Sequence, residues 1–208
     1  MQRKIIGVCV SLILGFLGLC YADSIEPYNK ERDHAFIAAL VTSLPQEFPE
    51  ADLITDLDSE IIHVYWPDKD GKPTFHVSYK QVTFMYCIDQ KPVGFIRLFD
   101  ALDTSPEIIK FRTELVASVV KTDRVSMIEQ LAVLPEHQRK GIAEKLVKYV
   151  IQDRKKEGFG AIVLTTMSDN FVSQKLYEKL RFIMVREERE SVWGCYKWYV
   201  YNTSLCNN

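Results

Sequence analysis

Apolar positions recur along this chain at two different periods, and each change of period marks a new element. In "KERDHAFIAALVTSL" the residues Phe36, Ile37, Leu40, Val41 and Leu44 fall at helical spacing until Pro45, which predicts a helix over 31–44. The short "SIEPYN" before it reads as an edge strand. "PQEFPEADLITDLDSE" carries two prolines and many acids and reads as a loop with a short second helix, and "PDKDGKP" is turn chemistry. From Gln81, "QVTFMYCID" and "KPVGFIRLFDA" are branched and aromatic runs joined at "DQKP", a hairpin. "TSPEIIKFRTELVASVV" reads as a helix opened by Ser105 with Pro106 in its first turn.

The later half alternates strand and helix. "RVSMIEQLAVL" predicts a strand, "RKGIAEKLVKYVIQDRKKEG" a helix, "FGAIVLTTM" a strand and "NFVSQKLYEKL" a helix, with "FIMVREERE" and "SVWGCYKWYVYN" as two closing strands. In the first of these helices Ile142, Leu146, Val147, Val150 and Ile151 share a face, and Gly158 follows Lys155 and Lys156 as a left-handed cap. "REERE" reads as a solvated face. This order of elements argues for one α/β domain: a central mixed, mostly antiparallel sheet flanked by helices.

Composition changes this picture little. With 208 residues, 47% apolar and 26% charged, the chain suits one globular domain, and a formal charge of -2 gives no basic field for nucleic acid. The amino end is different. Arg3 and Lys4 precede an uncharged apolar run from Ile5 to Leu19, followed by Ala22 as a small residue at a cut site. Residues 1–22 therefore read as a signal peptide or hydrophobic leader, and 23–208 as the domain. The run is shorter than the roughly 20 residues of a spanning helix. An uncleaved membrane anchor and a cytoplasmic protein with an unused leader are the alternatives to export to the periplasm or medium. Outside the leader Cys87, Cys195 and Cys206 have no scaffold or metal-knuckle spacing, so unpaired thiols or a single Cys195–Cys206 bridge are both open. His34, His63 and His76 are scattered, and no metal is expected.

The candidate chemistry lies where the strand ending at Leu134 turns through "QRKGIA" into a helix. A helix start offers free N–H groups and a positive dipole to an anion. Gly141 lets a phosphate approach the backbone, and Gln138, Arg139 and Lys140 add donors. Judged alone, this loop reads first as an ordinary solvated basic turn.

"QRKGIA" matches the Gln/Arg-x-x-Gly-x-Gly/Ala signature of the GCN5-related N-acetyltransferases at Gln138, Gly141 and Ala143. "NFVSQKLYEKLRF" is similar to the family's second motif at Asn170, Tyr177 and Phe182. The resemblance is strong over 81–188. It implies a GNAT-like acyl-CoA N-acyltransferase fold with a bulged strand splaying from its neighbour. It also implies acetyl-CoA as cosubstrate without a metal, its pyrophosphate on the backbone from Gln138 through Arg139, Lys140, Gly141 and Ile142 to Ala143. Its pantetheine amides would lie on the main chain of Leu131, Ala132 and Val133.

The same resemblance implies Tyr177 as the acid for the departing thiolate, against a plain core tyrosine. Asn170 either caps its helix or bonds the coenzyme. Glu129, placed by strand alternation on the face of Leu131 and Val133, is a candidate base, with His137 a weaker one. Arg181 stands where the family has glycine, and because a left-handed residue there costs roughly 1 kcal/mol the helix is expected to end differently. The implied activity is acetyl transfer to a small-molecule or peptide amine; an exported, catalytically idle binding module of the same fold is the alternative. Glu47, Glu50, Asp52, Asp56 and Asp58 suit a cationic acceptor or simply a solvated loop.

Overall fold

The computed structural model describes residues 23–43, 58–67, 73–102, 114–190 and 194–205. Eight strands form one sheet: β1 (Ser24–Pro27), β2 (Ile61–Pro67), β3 (Pro73–Ile88), β4 (Lys91–Ala101), β5 (Val125–Val133), β6 (Ala161–Met167), β7 (Ile183–Glu190) and β8 (Gly194–Asn202). Among the described residues three α-helices lie in full against it: α1 (Lys30–Ser43), α2 (Ile142–Lys156) and α3 (Phe171–Lys179). Strand order is β1-β3-β4-β5-β6-β8-β7, with β2 also on β3. All pairings are antiparallel except β5 with β6.

The hairpin expected from Gln81 is present, but β3 starts earlier. Its first half pairs with β2, from Ile61 opposite Lys80 to Pro67 opposite Pro73. The turn expected at "PDKDGKP" lies mostly outside the described residues, and the runs on either side of it, "IIHVYW" and "TFHVSYK", not predicted as strands, belong to β2 and β3. "SIEPYN" does form an edge strand, and "REERE" lies in β7. The expected loop and short helix over 45–57 lie outside the described residues. So does most of the helix expected over 104–120, whose end at 114–116 is helical with Leu115 and Val116 buried.

Alternation in the strands sends side chains to three cores among the described residues, one of them formed by Val125, Ala161, Val163 and Val200 with Leu115 and Val116. Phe84, Tyr86, Ile96, Leu98, Ile128, Ile162 and Leu164 face α2 and α3, while Met85, Cys87, Phe95 and Ala132 face α1. The predicted face of α2 is the buried one, and each of its large apolar residues contributes about 2 kcal/mol in transfer free energy. Arg154, in its last turn, pairs with Asp100 of β4 inside the protein. Burial pushes the Asp100 carboxyl up, against the opposing pull of Ser126 and Arg154. Cys87 and Cys195 are free thiols, and Cys206 is outside the described residues.

Both α2 and α3 end in the same hydrogen-bonded cap. After α2, Gly158 at φ 81° donates to Lys155 O and Phe159 donates to Arg154 O, each at 3.0 Å. After α3, Arg181 at φ 68° donates to Glu178 O at 2.9 Å and Phe182 to Tyr177 O at 3.0 Å. The expectation that Arg181 would force a different ending is therefore corrected: arginine adopts the left-handed cap. Two capping hydrogen bonds and the packing of Phe182 on Tyr177, centroids 5.6 Å apart, offset a backbone cost of about 1 kcal/mol.

Candidate active site

Strands β5 and β6 run parallel only from Val125 opposite Ala161 to Ile128 opposite Leu164. Beyond that row β6 continues on β8 as far as Met167 opposite Tyr196, and β5 continues on β4 as far as Val133 opposite Gly94. The two strands therefore part into a V. The cause is local: on β4, Arg97 and Leu98 are consecutive, but their partners are Gln130 and Ile128. Glu129 is the extra residue of a β-bulge, which bends β5 away from β6.

The bulge also resets the alternation on which Glu129 had been assigned a face. Ile128 faces α2 before it, and Leu131 and Val133 face α2 after it, so an even-numbered face becomes odd. Glu129 is half-buried at the switch itself.

Main-chain direction past the bulge follows from one bond. Leu134 N–H donates to Val93 O at 2.9 Å, so by antiparallel alternation Ala132 also turns its main-chain groups to β4. The expectation that Ala132 also offers its main chain to the coenzyme is thereby corrected: its groups are taken up by the ladder with β4. Those of Leu131 and Val133 turn the other way, into the V. Val133 O there accepts the Gln138 side-chain amide at 3.1 Å, which fixes the loop over the strand end.

The loop bends by two left-handed residues, Arg139 at φ 61° and Gly141 at φ 80°. Gly141 is the N-cap of α2 and has no side-chain cap, and the first intrahelical bond is Lys145 N–H to Gly141 O at 3.0 Å. The N–H groups of Ile142, Ala143 and Glu144 thus have no acceptor within the helix. A Cβ added at Gly141 would meet nothing within 4 Å, so the space beside this glycine is open. Free N–H groups at a helix start, behind a loop turned by two left-handed residues, are an arrangement that favours an anion. Arg139 holds a conformation that costs a non-glycine residue about 1 kcal/mol or more, a strain typical of ligand-binding loops.

Three charged residues of the first helical turns are anchored. Lys145 donates to Tyr86 Oη at 2.7 Å and to Asp23 Oδ2 at 2.9 Å, and these partners raise its pKa. Glu144 accepts from Lys148 at 2.8 Å and from Lys179 of α3 at 2.6 Å, which holds its carboxyl down to about 2. Sequence reading missed these partners. Lys145 and Asp23 are 122 positions apart, and no spacing rule joins them.

The second motif lies across the V. Asn170 is the N-cap of α3, and its Oδ1 accepts from Ser173 N–H at 3.1 Å, so the capping role is observed. Tyr177 is buried and packs on Phe182 and on Tyr199, the latter at 6.1 Å between centroids. Tyr199 is the register partner of Leu164, which pairs with Ile128. Tyr177 thus packs against the β8 member of the last row before the strands part, and Glu129 is the next residue of β5 beyond that row. The two catalytic candidates lie on elements bordering that row, Tyr177 buried against β8 and Glu129 half-buried on β5.

His137 sits in the loop, half-buried, with its Nδ1 enclosed and without a hydrogen-bond partner. Asp58 is committed to Lys30, Tyr28 and His34, which hold its carboxyl down to about 2; the other four acids of that segment lie outside the described residues. An apolar depression of about 440 Å³ lined by Ala117, Val120 and Thr122 lies at the opposite end of β5. It brings nothing to the V. No cluster of metal-ligating side chains occurs among the described residues, and no helix among them is long and apolar enough to cross a membrane.

Comparison with known proteins agrees with this geometry. Residues 37–182 match the family described as acetyltransferase (GNAT) family. Among solved structures, Arabidopsis thaliana NAA60 in complex with acetyl-CoA shares the fold with a TM-score of 0.62 at 15% identity, over 87% of this chain and 98% of that one. The ribosomal-protein-S18-alanine N-acetyltransferase from Escherichia coli gives 0.57 at 13%, over 90% and 97%. The IAA acetyltransferase from Bacillus cereus ATCC 14579 gives 0.53 at 18%, over 87% and 99%. At such identities the likeness is one of fold. No curated protein sequence matches.

Proposed function

The chain belongs to the acetyltransferase (GNAT) family, and from that premise we propose that it moves an acetyl group from acetyl-CoA directly to an amine while both are bound. The observation that carries the reading is the conjunction of the V with the uncapped helix start at Gly141. One opening offers main-chain groups along its wall and an anion cradle at its mouth. In this reading the backbone from Gln138 to Ala143 holds the pyrophosphate, and the groups of Leu131 and Val133 hold the amide-bearing arm. When bound, the coenzyme supplies an acetyl thioester.

The acceptor nitrogen must be neutral to attack. Glu129, at the vertex, takes its proton, directly or through water. As the new C–N bond forms the C–S bond breaks, and Tyr177 gives its phenolic proton to the departing sulfur. Asn170 keeps α3, and with it Tyr177, in place by its cap.

The test is calorimetry of the purified protein with acetyl-CoA. It is followed by thiol release over a panel of polyamines, aminoglycosides and peptide amino termini. We expect saturable binding and thiol release with at least one amine class. Absence of binding at millimolar coenzyme would sink the enzyme reading and leave an exported binding module, which the leader favours because acetyl-CoA is a cytosolic metabolite.

We propose separately that residues 1–22 direct export and are removed, on the pattern of two bases, an apolar run and a small residue at the cut. Mass spectrometry of the protein from its own host is expected to find Asp23 at the amino terminus. An intact Met1 on cytosolic protein would refute export and remove the difficulty of donor supply.

A further inference from the structure

Helices α2 and α3 leave the ends of the two strands that part, and both pack on the same face of the sheet. The gap between them therefore lies over the V, and a ligand reaching from the vertex to the Gly141 cradle must pass along it. One ion pair spans this gap: Glu144, in the first turn of α2, to Lys179, in the last turn of α3.

Position makes this pair more than a surface contact. Glu144 is three residues past the N-cap, where its negative charge complements the helix dipole but competes for the field that an incoming phosphate would use. Lys148 and Lys179 together outweigh that charge by one. Both lysines are mostly exposed, at 57% and 64%, whereas Glu144 is 22% exposed. An exposed pair of this kind contributes little to stability and opens readily. A phosphate carries more charge and more acceptor oxygens than a carboxylate, so it is the stronger partner for an ammonium group that can swing.

We propose that Glu144 and Lys179 form a latch across the mouth of the coenzyme cleft, and that Lys179 exchanges the carboxylate for a phosphate oxygen of the incoming nucleotide thioester. The proposal rests on the acetyl-CoA reading. It adds that Glu144 opposes binding and Lys179 favours it. In the free protein each holds the other, a contact that bridges α2 and α3 but is weak enough to exchange.

The experiment is calorimetry of the purified wild type, Glu144→Gln and Lys179→Met with coenzyme A and with dephospho-coenzyme A, at several salt concentrations. Circular dichroism confirms that each variant is folded. Loss or release of one exposed charge contact corresponds to a change of about 3- to 10-fold in affinity. Glu144→Gln is expected to tighten binding by that factor, and Lys179→Met to weaken it and flatten its salt dependence. A loss in Lys179→Met seen with coenzyme A but absent with dephospho-coenzyme A assigns Lys179 to the 3′-phosphate. A loss with both assigns it to the pyrophosphate.

Wild-type affinity and salt dependence in Lys179→Met, or weaker binding in Glu144→Gln, would overturn the latch while leaving the coenzyme reading intact. No binding to wild type would overturn both, so the two failures are told apart by the wild-type trace alone.

Discussion

Gly141→Glu is expected to abolish measurable acetyl-CoA binding, with affinity falling at least about 100-fold, while the protein stays folded. Two separate costs arise. At φ 80° any side chain meets the left-handed penalty, about 1 to 2 kcal/mol. That strain falls on the loop, since the protein leaves the space beyond a Cβ open. The second cost falls on the ligand. The new carboxylate sits at the positive end of α2, where it partly stabilises the helix, and it occupies the place and the field that a phosphate would take. Gly141→Ala separates the two, because it carries the strain without the charge, and should weaken binding far less. A folded Gly141→Glu protein with wild-type affinity by calorimetry would remove the cradle assignment.

The elements easiest to read were those whose pattern is local. The buried face of α2 and the left-handed cap at Gly158 appear in the structure as the sequence pattern predicts, because period and cap depend on neighbours within a few positions. Glu129 shows the opposite case. Its side was argued from unbroken alternation, and a single inserted residue at that very position resets the alternation and opens the cleft. The family resemblance implies a bulge in this strand, but nothing in "MIEQLAV" places it at Glu129, since its position exists only relative to the register of β4. Arg181 failed for another reason. Local propensity disfavours a left-handed arginine, but the capping bonds and the Tyr177–Phe182 contact outweigh it, and those depend on what Phe182 packs against. The Lys145–Tyr86–Asp23 and Glu144–Lys179 contacts were illegible because they join residues distant in sequence.

Tyr177→Phe is expected to lower turnover by about 10- to 10⁴-fold, the range for losing a positioned acid, with coenzyme affinity little changed. The substitution isolates the hydroxyl. Phenylalanine keeps the ring that packs on Phe182 and Tyr199, so the cap of α3 and the core around it should stay intact. Binding should persist because the cradle is built from backbone on the far side of the V. What is lost is the proton that the proposed mechanism gives to the departing sulfur, from a ring that packs on Tyr199 at the β8 end of the row Ile128, Leu164, Tyr199. The effect should therefore appear in kcat and depend on the leaving thiolate. A donor whose thiol is more acidic needs less protonation, and should recover part of the loss in Tyr177→Phe while gaining little in the wild type. Glu129→Gln should respond differently, losing rate at low pH and regaining it as pH rises and the amine deprotonates without help. Wild-type turnover in Tyr177→Phe on a good acceptor would return this residue to the core as a packing tyrosine and move the acid elsewhere in the cleft.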